Sequence, residues 1–208
     1  MGGASSINFN PILLKKYIER IIPEVAKSGD DEQHGSTVVS DTFVLQALSR
    51  RVHYGKFVAE SKYQSDPETY QSLVDAGDAA GVMKLLTNQL VEDKVLNRAR
   101  LKAATYGREP LVASIPSLTC SDTTSIVAAA AASAVVAAVE ALGDEKARKQ
   151  GKIDPAVIEN IYKNFIIPLT KDVEVAYLFL RCGKEPPVEY GPNRMSTDLT
   201  DNLMANNL

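Results

Sequence analysis

Apolar positions recur at helical spacing along nearly the whole chain. After Asn10-Pro11, which read as an N-cap and first turn, come Ile12, Leu13, Tyr17, Ile18, Ile21, Ile22 and Val25. Pro23 should kink or shorten this helix. A polar run over 27–36 predicts a loop, and a second helix follows from about 40 to 64. Asp66-Pro67 opens a short helix that ends by Gly77. A long helix is expected over 78–106, stopped by Gly107. Residues 108–119 read as loop. Ser121-Asp122 then cap an Ala-rich helix ending at Gly143, and a charged turn follows. Asp154-Pro155 caps a last helix through Ile158, Ile161, Tyr162, Phe165 and Ile166 to about 181. The tail from Gly183 holds few core residues and is expected to be disordered. No strand alternation is visible, so the fold class is all-α. One helical domain spans about 8–182, with an insertion at about 109–151.

Three helices break this pattern on their inward faces. Arg51 and Lys62 lie about 20° apart in helical projection, on the stripe of Val44, Leu48, Gly55 and Val58. Buried cations are costly unless an anion meets them. Gly55, one turn beyond Arg51, leaves space between the two charges. On the long helix Asn88 and Glu92 are spaced i, i+4 with Leu85, Val95 and Ala99. On the last helix Thr170 and Glu174 repeat that spacing among Ile166, Ile167, Val173 and Tyr177. One reading is a network of buried ion pairs between the cations and Glu92 and Glu174. The other is a slot for an anionic small molecule whose reaction needs positioning and charge stabilisation. No Ser-His or Cys-His arrangement points to a nucleophile.

Composition narrows the field. The 208 residues carry a net charge of −3, with 45% hydrophobic and 24% charged positions, which is ordinary for a globular domain. With a pI near 5.5, nothing favours nucleic acid as a partner. Two histidines and two cysteines form no ligand-spaced motif, so a metal site is not expected. The thiol usage and the lack of an apolar core in MGGASSINF point to the cytosol, with a plastid form as the alternative. Met1-Gly2 with Ser6 fits the loose myristoylation pattern. The longest apolar run, over 126–139, is broken by Ser133 and falls short of the ~20 residues needed to span a bilayer. No membrane partner is expected.

The strings LQALSRRVHYGKFVAESKYQSDPETY, LLTNQLVEDKVLNRARLKAATYG and IDPAVIENIYKNFIIPLTKDVEVAYLFLR resemble the fungal and plant all-helical chorismate mutases. NPILLKKYIERIIPEVAKSGDD and HGSTVVSDT fit the same family, and the likeness runs collinearly over 8–108 and 152–181. It implies a [3,3] rearrangement of chorismate to prephenate on the way to phenylalanine and tyrosine, with no cofactor and no covalent intermediate. Catalysis would come from holding a reactive conformer and stabilising charge on the breaking ether bond. By this resemblance Arg51 binds a substrate carboxylate, and Lys62 sits at the ether oxygen. Glu174 helps hold that oxygen, which requires a protonated carboxyl and a raised pKa. Asn88, Glu92 and Thr170 match positions that bind the hydroxyl and second carboxylate or orient the cations. Gly35 and Ser36 match part of an effector site for tyrosine and tryptophan at a homodimer interface, with Val39 where fungal members have threonine.

The sequence departs from the family in one large respect. Relatives carry on the order of a hundred further residues before the counterpart of Asn8. Those residues include a helix with a second substrate-binding arginine. The Ala-rich segment and the tail after Arg181 are additions. A chorismate mutase is therefore the leading reading. The alternatives are a mutase-like protein with impaired turnover and a helical module that docks a partner helix.

Overall fold

Proline shapes the helices as much as periodicity does. The structure, a computed structural model, describes residues 6–30, 32–106 and 153–192. The Gly107 stop, the 108–119 loop, the Ala-rich helix and the tail beyond 192 lie outside the described residues. The first helix, α1 (Asn10–Lys16), has its N-cap at Phe9, one residue earlier than expected and without a side-chain cap, while Asn8 Oδ1 accepts the Asn10 N–H at 3.0 Å. Before Pro23 the chain widens into a π turn, Tyr17–Ile21, and then resumes as α2 (Ile22–Val25). Proline has no N–H to donate, and its ring crowds the carbonyl four residues back. The π turn absorbs that conflict, with the Ile22 N–H reaching the Tyr17 carbonyl.

Pro168 acts in the same way on the last helix, which was expected to be continuous. It is split into α8 (Pro155–Ile161), a π turn Tyr162–Ile166, and α9 (Ile167–Arg181). Asp154 caps α8 by accepting the Ala156 N–H at 2.8 Å.

Three boundaries differ from the sequence expectation. The second helix starts at His34 rather than near Ser40 and is interrupted at Tyr54, giving α3 (His34–His53) and α4 (Gly55–Ser65). Helix α5 (Pro67–Asp75) is capped by Asp66 as expected. The long helix over 78–106 is two helices, α6 (Ala79–Leu86) and α7 (Gln89–Tyr106). Thr87 is extended between them, and Thr87-Asn88 were cap-type residues in the sequence. The tail is ordered further than expected. Lys184 Nζ donates to the Asp75 carbonyl at 2.8 Å, and a 3-10 turn, Val188–Tyr190, places Tyr190 against the core.

The described residues form two compact units, one from 6–88 with 164–192 and one from 89–106 with 153–163. No strand occurs among them. In the smaller unit α7 packs on α8, and Arg100 Nε lies 3.7 Å from Glu159 Oε2. In the larger unit α9 is the axis. Val173, Glu174, Val175 and Ala176 are consecutive and all buried, so this helix has no solvent face over that stretch. Helices α3, α4, α5 and α6 pack around it. The core joins Ala59, Tyr70, Val74, Val82 and Leu86 to Val175, Leu178 and Phe179.

The segment before α1 is strapped onto this bundle. Ile7 and Phe9 are buried, and Lys56 Nζ donates to the Ile7 carbonyl at 2.8 Å. His53 Nε2 accepts the Phe9 N–H at 2.9 Å, so that nitrogen carries no proton and Nδ1–H donates to the Ser49 carbonyl at 2.8 Å. Burial pushes the His53 pKa down, in keeping with a neutral ring.

Candidate functional site

The site grows from one close approach. Helix α4 begins at Gly55, directly against α9. A Cβ at this position would lie 2.9 Å from the Thr170 carbonyl oxygen, 3.1 Å from Thr170 Cγ2 and 3.2 Å from Glu174 Cγ. The sequence reading gave Gly55 the role of leaving room for a ligand between two cations. The structure corrects that: the space is filled by α9, and the glycine permits backbone contact. The contact brings Glu174 beside α4, where Lys62 Nζ meets Glu174 Oε2 at 3.3 Å.

Lys62 is held from a second side. Its Nζ donates to the Leu86 carbonyl at 2.6 Å. Leu86 is the last residue of α6, and helix ends leave carbonyls without intrahelical donors at the negative end of the helix dipole. The break at Thr87-Asn88 therefore creates the anchor for the lysine. An uninterrupted helix over 78–106 would have used that carbonyl internally, which is why the sequence reading missed it.

Glu174 has 8% of its side chain exposed, against 33% for Lys62. Desolvation pushes its pKa up, while Lys62, Lys171 and Arg51 pull it down, and the net direction is up. The imbalance is physical: the carboxyl loses nearly all its water, whereas the attraction of a partly solvated cation is screened. Native Glu174 thus keeps its proton at pH values where the unfolded chain has lost it. Its contribution to stability falls as pH rises from the ordinary carboxylate range through the raised value. Tyr70, buried on α5, also faces Glu174, and its own pKa is raised by burial and then by that charge.

Four of the six residues singled out from sequence belong to this unit's core contact. Thr170 and Glu174 line the Gly55 crossing, Lys62 reaches Glu174 from further along α4, and Arg51, half-buried in the last turn of α3, lies within electrostatic reach of Glu174. The Thr170 hydroxyl donates to the Ile166 carbonyl at 2.6 Å, within its own helix. Lys171 was not singled out, although its place beside Thr170 could have flagged it. Asn88 is exposed in the break before α7, so the expected shared helical face with Glu92 does not form as drawn. Glu92 is partly buried in the first turn of α7, in the other unit. Gly35 and Ser36 sit in the exposed first turn of α3 rather than in a loop, and Val39 is exposed there too.

Gly55→Ala is expected to destabilise the protein by about 1–3 kcal/mol in urea unfolding, the cost of overpacking against a backbone that cannot yield. Gly35→Ala, where nothing lies within 4 Å of the new methyl, should instead gain about 0.4–1 kcal/mol. Equal effects at the two positions would contradict the close crossing.

The family profile described as chorismate mutase type II matches residues 35–175. Chorismate mutase 1, chloroplastic, of Petunia hybrida is 39% identical over 86% of this chain and 46% of its own length. A crystal structure of chorismate mutase from Candida albicans in complex with L-Trp superposes with a TM-score of 0.65 at 36% identity. It covers 91% of this chain and 59% of that one. A crystal structure of AtCM1 with tyrosine bound in its allosteric site gives 0.64 at 36% identity, covering 85% and 57%. The chain spans about half the length of the curated relatives it matches, 46% of one and 57% of another. With the family profile matching more than half of its residues, the chain belongs to the type II chorismate mutases.

Proposed function

We propose that this chain converts chorismate to prephenate, and that the pair of half-buried Lys62 and buried Glu174 between α4 and α9 is the working part. That pair is the single observation carrying the proposal, since it sets a cation and a proton-holding carboxyl side by side within one largely apolar seam. The rearrangement needs no nucleophile. It needs a compact dianion held in a reactive chair and a donor at the ether oxygen as charge develops there. Arg51 and Lys62 supply positive charge for the carboxylates and the ether oxygen. Glu174, in its protonated form, donates a hydrogen bond to the same oxygen. Thr170 and Asn88 add a hydroxyl and an amide to the substrate-binding set in this reading.

A mutase-like protein with slow turnover is the second reading, favoured by the Lys62 ammonium already being taken up by the Leu86 carbonyl at 2.6 Å. Binding of a bicyclic transition-state analogue without prephenate formation would support it.

The main test is the pH profile of prephenate formation. Activity should be highest where Glu174 holds its proton and should fall as pH rises through the raised pKa of that carboxyl. Glu174→Gln keeps a donor at every pH, so its profile should lose the falling limb. Lys62→Ala should lower kcat/KM by about 10²–10³-fold. No rate above the uncatalysed reaction, together with no analogue binding, would remove the proposal.

The partners belong to the same proposal: a second copy of the chain, and tyrosine or tryptophan as effectors near Gly35 and Ser36. Support comes from exposed apolar side chains on α1, the π turn after it and α3, among them Leu14, Ile18, Val38 and Phe43. Leu14 also lines a groove of about 740 Å³ together with Leu13, Leu45 and Arg50. Sedimentation velocity should show a dimer that Phe43→Asp converts to monomer. A monomer at all concentrations, unchanged by either amino acid, would rule this arrangement out.

A further inference from the structure

The Lys62–Glu174 pair lies on one flank of α4, and an unassigned cluster grips the other. Glu60 accepts hydrogen bonds at both carboxylate oxygens. The Tyr177 hydroxyl donates to Oε2 at 2.6 Å, Arg181 Nε donates to the same oxygen at 3.2 Å, and Gln64 Nε2 donates to Oε1 at 3.0 Å. The Arg181 guanidinium also covers the Tyr63 ring at 4.7 Å. Tyr177 and Arg181 are on α9, so this carboxylate ties α4 to the helix that carries Glu174.

The geometry of α4 shows what such a tie controls. Ala59, fully buried, marks the line along which α4 rests on the core. Glu60 and Lys62 stand about 160° apart round the helix, one on each side of that line. Any roll of α4 about its own axis that loosens Glu60 must also move Lys62. The Gly55 contact fixes only the first turn of the helix, and Lys62 lies about two turns further on. Lys62 has a competing anchor in the Leu86 carbonyl, so a helix free to roll would keep that bond and lose Glu174.

We propose that Glu60, clamped by Tyr177 and Arg181, is a positioning residue that sets the roll of α4 and so holds Lys62 against Glu174. Its catalytic meaning rests on the function proposed above, but the positioning itself does not. Glu60 stays ionised for this purpose. The Tyr177 hydrogen bond, then that from Gln64, and the charge and hydrogen bond of Arg181 hold its pKa below the ordinary value, so the clamp persists through neutral pH.

The test reads Glu174 directly. Its carboxyl is titrated by carbon-detected NMR in wild type, Glu60→Ala, Glu60→Gln and Tyr177→Phe. The charges facing Glu174 are Lys62 from α4, Arg51 from α3 and Lys171 on its own helix, with Tyr70 from α5. With Lys62 displaced, one of the three cations is lost and the Glu174 pKa should rise further. Tyr177→Phe should shift it in the same direction by less. Glu60→Gln, whose amide oxygen still accepts from Tyr177, should stay near wild type. In an active protein, Glu60→Ala should lower kcat by about tenfold with KM little changed, and move the falling limb to higher pH. Should Glu60→Ala fail to fold, Tyr177→Phe carries the test. A Glu174 titration and kcat identical to wild type in the folded variants would overturn the proposal. Absence of turnover in wild type overturns the proposed function instead, while the Glu174 titration still decides the positioning.

Discussion

The contact between α4 and α9 at Gly55 is the constraint from which the rest of the larger unit follows. A backbone carbonyl at 2.9 Å from the place of a Cβ leaves no freedom in the distance between the two helices. That distance decides that Thr170 and Glu174 face α4 rather than solvent. It also places the carboxyl in an environment dry enough to raise its pKa against the pull of three cations. Glycine at the first position of α4 would be a poor choice on helix propensity alone. Its presence is explained by packing, and the packing is explained by the site.

Lys62 shows how a helix end becomes part of a site. A lysine facing a buried carboxyl could follow the carboxyl as it titrates. Here it is held independently by the Leu86 carbonyl, so the ammonium keeps its place whether Glu174 is charged or neutral. Such an arrangement is pre-organised: the cation need not reorient when negative charge develops on a neighbouring oxygen. The same logic separates this pair from a structural ion pair, in which both partners remain charged. A raised pKa on one side and a fixed cation on the other suit a group that gives a hydrogen bond in its protonated form.

Much of this was legible in the sequence, and the misses have common causes. Helical period, the Asp66 and Asp154 caps and the all-α class follow from local chemistry, which the chain states openly. Thr170 and Glu174 on the inward face of α9 were legible because polar groups on an apolar stripe have no local reason to be there. The interruptions at Tyr54 and Thr87-Asn88 were not, since apolar spacing continues across them and only tertiary packing decides where each helix stops. Pro168 did carry a signal that the last helix could not be regular. Gly55 was read as space because a sequence shows the missing side chain but not what fills the gap. Glu60 and Arg181 carry no mark in the sequence, and only the placement of α9 reveals that they meet.

The central claim is that Glu174 works as a neutral donor beside a fixed cation, and proton linkage on ligand binding addresses it most directly. The measurement is calorimetric binding of a bicyclic ether dicarboxylate that mimics the transition state, at a pH above the Glu174 pKa. Running it in buffers of different ionisation enthalpy counts the protons exchanged. The account predicts uptake of about one proton per site, because the ether oxygen demands the protonated carboxyl. That uptake should disappear in Glu174→Gln. Tight binding with no proton uptake, or uptake that persists in Glu174→Gln, would contradict it.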